Sequence, residues 1–289
     1  MSRIVYGRLL AGLFALCLGC GADGEAQLDE VVDVAAVPTS ATALETAAAG
    51  EHRSAENRAR DVYRHPAETL AFLGLEPDLS VVEIWPGGGW YTEILAPYLR
   101  EQGRYYAAGL DPESESEFAQ RSVARFAEKL ASDPELYDRT VVTALAPGLK
   151  IAPDGSVDLV LTFRNVHNWM SGDLDEVVFQ AMFDALKPGG VLGVVEHRGD
   201  PTIAQDPKAE NGYVRQDYAI ALAEAAGFEL VAASEINANP NDTTDYPDGV
   251  WTLPPTYLLE DLDREQYAAI GESDRMTLKF RKPELGDGA

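Results

Sequence analysis

Val81-Val82-Glu83-Ile84-Trp85-Pro86-Gly87-Gly88-Gly89-Trp90-Tyr91-Thr92 is the stretch that decides the fold. Its opening is a short apolar run of β character, Pro86 to Gly89 break that run, and the residues on to Leu99 carry a helical pattern, which together read as strand, glycine turn and helix. A nucleotide-binding loop needs residues without a Cβ where backbone amides approach the ligand. The helix behind it presents free N–H groups and the positive end of its dipole. Gly87 and Gly89 supply such a turn. Glycines also end strands for no further reason, so the turn needs support from its surroundings. Asp111 gives it: it lies roughly 20 residues further on, at the end of the next predicted strand, where a carboxylate accepts hydrogen bonds from both ribose hydroxyls. Taken alone, Asp111 before Pro112 is equally a turn-starting residue.

Outward from this core, strand and helix signals alternate from Ser54 to the last strand, the pattern of βαβ units around a parallel sheet. Ser54 can cap a helix through Tyr63, and Pro66 opens a second one that Gly74 ends. Strands are expected at Tyr105–Leu110, Thr140–Leu145, Val157–Phe163, Val191–Val195, Phe228–Ile236 and Met276–Phe280. Between them lie an amphipathic helix, with Phe118, Val123, Phe126, Ala127 and Leu130 on one side, and another with Leu174, Val178, Ala181 and Ala185 on one side. A third runs from Tyr213 to Ala226. Residues 237–274 are too long for an ordinary connection and read as a lid, or equally as a surface loop packed by its own Trp and Tyr.

At this point the chain resembles the class I S-adenosylmethionine (SAM)-dependent methyltransferases, and within them a set of exported bacterial predicted methyltransferases that share the segment EIWPGGGWYTEIL (83–95). The likeness runs from about Glu56 to Pro283. It includes Asp158 to Trp169, Leu186 to Arg198 and Met276 to Pro283. The resemblance implies an α/β fold, a Rossmann-like three-layer sandwich whose seven-stranded sheet is mostly parallel with an antiparallel last strand. It implies SAM as cofactor, with Glu83, Gly87 and Gly89 at the methionine part, Asp111 at the ribose, and Phe163, Arg164 and Asn165 along the cofactor edge. Trp85 departs from the family, which has Gly there; its indole either fills cofactor space or stacks on the sulfonium, an attraction of roughly 0.5–2 kcal/mol. Strand three ends in Ala144-Leu145, without the acidic residue that often meets adenine.

Methyl transfer asks the protein to position donor and nucleophile and, for an oxygen or nitrogen acceptor, to remove a proton. His167 and His197 follow strands four and five at the carboxyl edge of the sheet, where open α/β sheets bind ligands, and both are candidate bases. Each can equally be structural. Arg198 is a candidate for holding an acidic substrate group. His52 and His65 lie in the leading helices and assemble no metal site with them, so no metal is expected.

Composition sets the outer limits. The 289 residues, 46% hydrophobic, suit one domain with appendages. Arg3 and Arg8 precede the apolar run Leu9–Leu18, as in a secretory signal over residues 1–20, and that run is too short to span a bilayer. Cys17-Leu18-Gly19-Cys20 resembles a lipobox, which would make Cys20 a lipid anchor and place the protein in the periplasm or on a membrane; ordinary cleavage a few residues later is the other reading. Both cysteines lie in this segment, so the folded part has no thiol chemistry. Residues 21–50 read as a solvated acidic tether, leaving 51–289 as the domain. A net charge of −25 repels phosphates and argues against a nucleic-acid partner.

Three functions fit in different degrees. The first is a SAM-dependent methyltransferase acting on a small molecule or an envelope component. The second is an exported, non-catalytic small-ligand-binding protein in which Trp85 has degraded the cofactor turn. A nicotinamide dehydrogenase fits less well, because Thr92 stands where the third glycine of the dinucleotide fingerprint belongs and no Tyr-x-x-x-Lys pair is present.

Overall fold

The computed structural model describes residues 39–284. The signal segment, Cys20 and most of the expected tether lie outside them. Seven strands form one sheet among the described residues: β1 (Ser80–Ile84), β2 (Arg104–Gly109), β3 (Val141–Ala144), β4 (Val157–Phe163), β5 (Leu186–His197), β6 (Glu229–Ser234) and β7 (Arg275–Arg281). Their order is β3-β2-β1-β4-β5-β7-β6, with β7 antiparallel to both neighbours and the β1, β2, β3, β4 and β5 pairings parallel. The expected α/β sandwich with an antiparallel last strand is therefore what the chain adopts.

The two faces of the sheet follow from residue alternation. Val82, Ile84, Tyr106, Ala108, Val160 and Val194 turn to one core, shared with α8 (Val166–Ser171), α9 (Asp175–Ala185) and α10 (Gln216–Ala225). Val81, Tyr105, Ala107, Leu159 and Leu161 turn to the other, shared with α4 (Pro66–Leu73) and α5 (Thr92–Leu99). Gly193 marks how closely α4 approaches: a Cβ there would stand 2.7 Å from Leu73 Cδ1. Strands β1 and β4 are apolar on both sides because both sides are covered.

Several expectations need correction. The tether was expected to carry no fold through residue 50, but Ser40–Ala48 is a helix, α1, whose Leu44 and Ala48 are buried against the α4–α5 side. Thr39 caps it through the Thr42 amide. The sequence shows little of this, since Ala and Thr dominate and Leu44 is the one large apolar side chain in the contact. The Ser54 cap forms, with Ser54 Oγ accepting from the Asn57 amide at 3.1 Å, yet the run it starts breaks into α2 (Ala55–Arg58) and α3 (Asp61–Arg64). In α9 the buried side is Val178, Phe179, Met182 and Ala185, and Leu174 is exposed. Strand β5 starts at Leu186, so Pro188-Gly189-Gly190 stops the preceding helix without delaying the strand; the ladder absorbs it in a register shift between Val157 and Leu159.

Helix α6 (Glu117–Ser132), followed by the single turn α7 (Pro134–Tyr137), has the expected span, but only Ala119 and Phe126 on it are buried, and Phe118 is exposed. The lid segment is not structureless: it contains a 3₁₀ turn at Gly249–Thr252 and α11 (Arg264–Ile270). No helix of the described residues is long and apolar enough to cross a membrane.

Candidate functional site

Strand order reverses between β1 and β4, and the crevice beyond their carboxyl ends is where open α/β sheets bind ligands. Both strands end in the same way. Trp85 N donates to the Ala108 carbonyl at 2.8 Å and Arg164 N to the Val195 carbonyl at 2.7 Å, so each strand keeps its ladder for one more residue. Each of those residues then takes a left-handed backbone, φ 47° at Trp85 and 60° at Arg164, and turns the chain into the crevice. Left-handed non-glycine residues cost on the order of 1–3 kcal/mol and persist where surrounding structure fixes them, often at functional sites.

The glycine turn follows Trp85. Gly87 and Gly89 have φ of 59° and 80°, and a Cβ on Gly87 or Gly88 would meet nothing within 4 Å. Gly87 opens on two cavities, one of about 1070 Å³ towards β2, β3 and α6, and one of about 400 Å³ towards β4, β5 and the lid. Trp85 and Asn165 line both. The Trp85 indole stands edge-on to Trp169 at 6.2 Å, and its buried Nε1 has no partner among the described residues.

The larger cavity is mainly apolar: Leu110 and Pro112 beyond β2, Phe118 and Val123 of α6, and Leu149 beyond β3 line it. Asp111 sits between Leu110 and Pro112 and accepts the Glu113 amide on Oδ1 at 2.9 Å, so one of its oxygens starts a turn, as the alternative reading of this residue held.

The smaller cavity holds the ionisable groups. Glu83 is buried on its wall, accepting from the Tyr105 hydroxyl at 2.5 Å and the Thr92 hydroxyl at 3.4 Å. Burial outweighs those two hydrogen bonds and pushes its carboxyl up to about 7. Asn165 is a strand tie, donating Nδ2 to the Ile84 carbonyl at 3.0 Å and so joining β4 to β1.

His167 and His197 come together here, with ring centroids 5.3 Å apart. Each is held through Nδ1, His167 by Glu196 Oε1 at 3.0 Å and His197 by Ser273 Oγ at 2.5 Å. Both rings are held by a side chain and not by a backbone carbonyl. Burial first, then the neighbouring His167 and the guanidiniums of Arg164, Arg275 and Arg64, hold His197 well below the ordinary histidine value, so it is neutral at physiological pH. The lid reaches the same place: Trp251 stands edge-on to His167 at 6.1 Å, and Pro254 and Pro255 line the cavity.

Glu196 forms a tight group with both histidines, their ligand-type atoms lying within 4.8 Å of one another. Several of its donor atoms are already engaged within the protein. Glu196 Oε2 accepts the Val166 and His167 amides, Oε1 accepts the His197 amide and faces His167 Nδ1, and the guanidiniums of Arg164, Arg275 and Arg64 act on His197. Arg198, expected at the substrate, is instead committed to structure. Asp274 at 2.8 Å and Glu235 at 2.7 Å hold it, and it does not line the cavity.

Sequence reasoning missed Glu196, Ser273, Arg60, Arg64 and Glu272. Glu196 left a trace, an acidic residue inside an apolar strand next to a candidate base. Arg60 and Arg64 meet Glu272 across more than 200 positions, at 2.6 and 3.1 Å, and no local pattern announces that contact.

Comparison with solved structures matches this architecture at low sequence identity. A SAM-dependent methyltransferase from Aquifex aeolicus aligns over 78% of this chain and 93% of its own, with TM-score 0.52 and 16% identity. The chain has the fold of the SAM-dependent methyltransferases. The cyclase SpnF aligns over 86% of this chain and 97% of its own, with TM-score 0.54 and 16% identity. A putative sarcosine dimethylglycine methyltransferase from Galdieria sulphuraria aligns over 79% and 85%, with TM-score 0.50 and 16% identity. One of the three is named for cyclisation, so the fold frames the site and the side chains must carry the function. No protein-family model matches the chain, and no curated protein matches it.

Proposed function

We propose that the chain is a SAM-dependent methyltransferase acting on a small molecule or a cell-envelope component. The observation that carries this reading is the glycine turn at the switch point: left-handed Gly87 and Gly89, open space where a Gly87 side chain would stand, and the buried Glu83 beside it. These residues fit an adenosyl ligand crossing from the larger cavity to the smaller. SAM, when bound, supplies an electrophilic methyl group. The chain's own residues do the rest. The smaller cavity confines the acceptor beside the turn, the lid residues Trp251, Pro254 and Pro255 exclude water, and the neutral His197 takes the acceptor's proton on Nε2 while Ser273 fixes its ring. Glu196 orients His167 in the same manner. The place of action in this reading is the cell envelope, on the strength of the basic and then apolar opening of the sequence and of Cys20.

A second reading has one observation in its favour. Trp85 occupies the wall common to both cavities, and an indole there favours a non-catalytic protein that holds another small ligand. Incubating the full chain with methyl-labelled SAM and fractionated envelope and metabolite extracts separates the two. Label transferred to an extract component, and lost with His197→Asn, supports methyl transfer; a folded chain that neither retains SAM nor transfers label to any fraction supports the second reading.

A further inference from the structure

A chain with net charge −25 gathers guanidiniums on one wall of the smaller cavity. Arg60, Arg64 and Arg275 converge on a single buried carboxylate, Glu272, which Arg60 Nε reaches at 2.6 Å, Arg64 Nε at 3.1 Å and Arg275 through Nη2. That one carboxylate does not satisfy them. Arg60 Nη2 and Arg64 Nη2 are buried with no partner among the described residues, and Arg64 is only 4% exposed. Arg164, which the left-handed end of β4 directs to the same cavity, feels Glu272 and Glu196 only at a distance. Its guanidinium has no hydrogen bond or ion pair among the described residues. Burial first, then the charge of Arg275 and, more weakly, that of Arg60, lowers Arg164 to about 10, with Glu272 acting in the opposite sense, and the half-buried side chain keeps part of its surface open to the cavity.

Buried charges are ordinarily paired, because leaving water without a counter-ion costs far more than a surface ion pair returns. A guanidinium presents a planar fork of N–H donors that matches a carboxylate or phosphate oxygen pair, which a lysine or a histidine cannot imitate. We propose that Arg60, Arg64 and Arg164 form an oxyanion site that takes a carboxylate or phosphate group of a bound ligand. A cavity of about 400 Å³ limits that ligand to metabolite size. The two histidines open on the same space, so an acceptor anchored at the arginines by its acidic group holds the rest of its body towards His167 and His197. The site stands whether or not an adenosyl ligand binds the turn. Two ligands can bring the oxyanion: an acidic acceptor, or the methionine carboxylate of the cofactor.

The test is calorimetric titration of inorganic phosphate and of malonate into the full chain at low ionic strength, alone and then saturated with S-adenosylhomocysteine or with methylthioadenosine, which lacks the carboxylate. The expected result is saturable binding that weakens at least tenfold in Arg164→Gln and in Arg60→Gln, with melting temperatures that show both variants folded, and an intermediate loss in Arg164→Lys. Anion binding that survives S-adenosylhomocysteine assigns the site to the acceptor; anion binding displaced by S-adenosylhomocysteine and not by methylthioadenosine assigns it to the cofactor carboxylate. Anion binding by a chain that binds neither adenosyl compound keeps the site and removes the methyltransferase reading alone. No anion binding by the folded parent, or equal affinity in the parent and both glutamine variants, overturns the proposal.

Discussion

Glu83 and His197 are both buried in the site, and burial pushes them in opposite directions, each towards its neutral form. The folded chain keeps the Glu83 proton up to about pH 7, while an unfolded chain releases it near 4.5. Between those two values the folded state binds more protons than the unfolded one, so stability falls as pH rises and levels off above. Glu83→Gln, compared with the parent in urea titrations, should therefore gain about 3 kcal/mol on going from pH 4 to pH 8. Parallel pH dependence of the two proteins would show that the fold holds Glu83 ionised. For His197 the consequence is kinetic. A base kept neutral by burial and by the guanidiniums works below the pH at which an ordinary histidine is half protonated, so the acid limb of methyl transfer should lie under the ordinary histidine value of 6.5. His197→Asn should lower transfer by roughly 10²- to 10⁴-fold with the SAM Kd unchanged. A limb near 6.5, or a variant of undiminished rate, would move the base role elsewhere.

At the scale of elements, the feature least visible in the sequence is α1. Its nine residues carry one large apolar side chain, Leu44, which is 2% exposed and makes most of the apolar contact that docks the helix. Removing a buried leucine side chain costs about 2–5 kcal/mol through lost transfer energy and the cavity left behind. Leu44→Ala should lower the stability of the full chain by that amount at constant denaturant m-value, whereas a solvated tether would leave the unfolding midpoint where it was. The strands were legible for the opposite reason. β1 and β4 begin and end where the apolar pattern places them, because both faces of a central parallel strand are covered and nothing competes with burial for their ends. Helix faces were less legible. Leu174 belongs by period to the apolar side of α9, but it precedes the first turn and stays exposed, and Phe179 and Met182 take the buried places. The run Tyr213–Arg215 reads as helix and is instead drawn out, because Val214 bridges Arg198 and its amide donates to the His197 carbonyl.

At the scale of the molecule, the site is made by strand order. Reversal of that order between β1 and β4 brings Trp85 and Arg164, the residues that follow the two strands, to one cavity, and the parallel pairing of β4 with β5 sets His167 beside His197. Those residues were legible because strand ends can be read from local pattern, and a parallel sheet aligns the ends. The wall facing them was not. Arg60, Arg64, Glu272 and Ser273 come from segments at opposite ends of the sequence, and only the closed fold brings them together. The charge balance shows the same division: composition reports −25 for the chain, while the cavity is locally cationic. In the proposed function the turn at Gly87 holds an adenosyl ligand. Calorimetric titration of SAM, S-adenosylhomocysteine and NAD into the full chain tests it most directly, beside a Gly87→Val control whose side chain would enter the open space at the turn and strain its left-handed backbone. Micromolar binding of both adenosyl compounds, absent for NAD and lost in a folded Gly87→Val, is the predicted result; a folded parent that binds neither compound would contradict it.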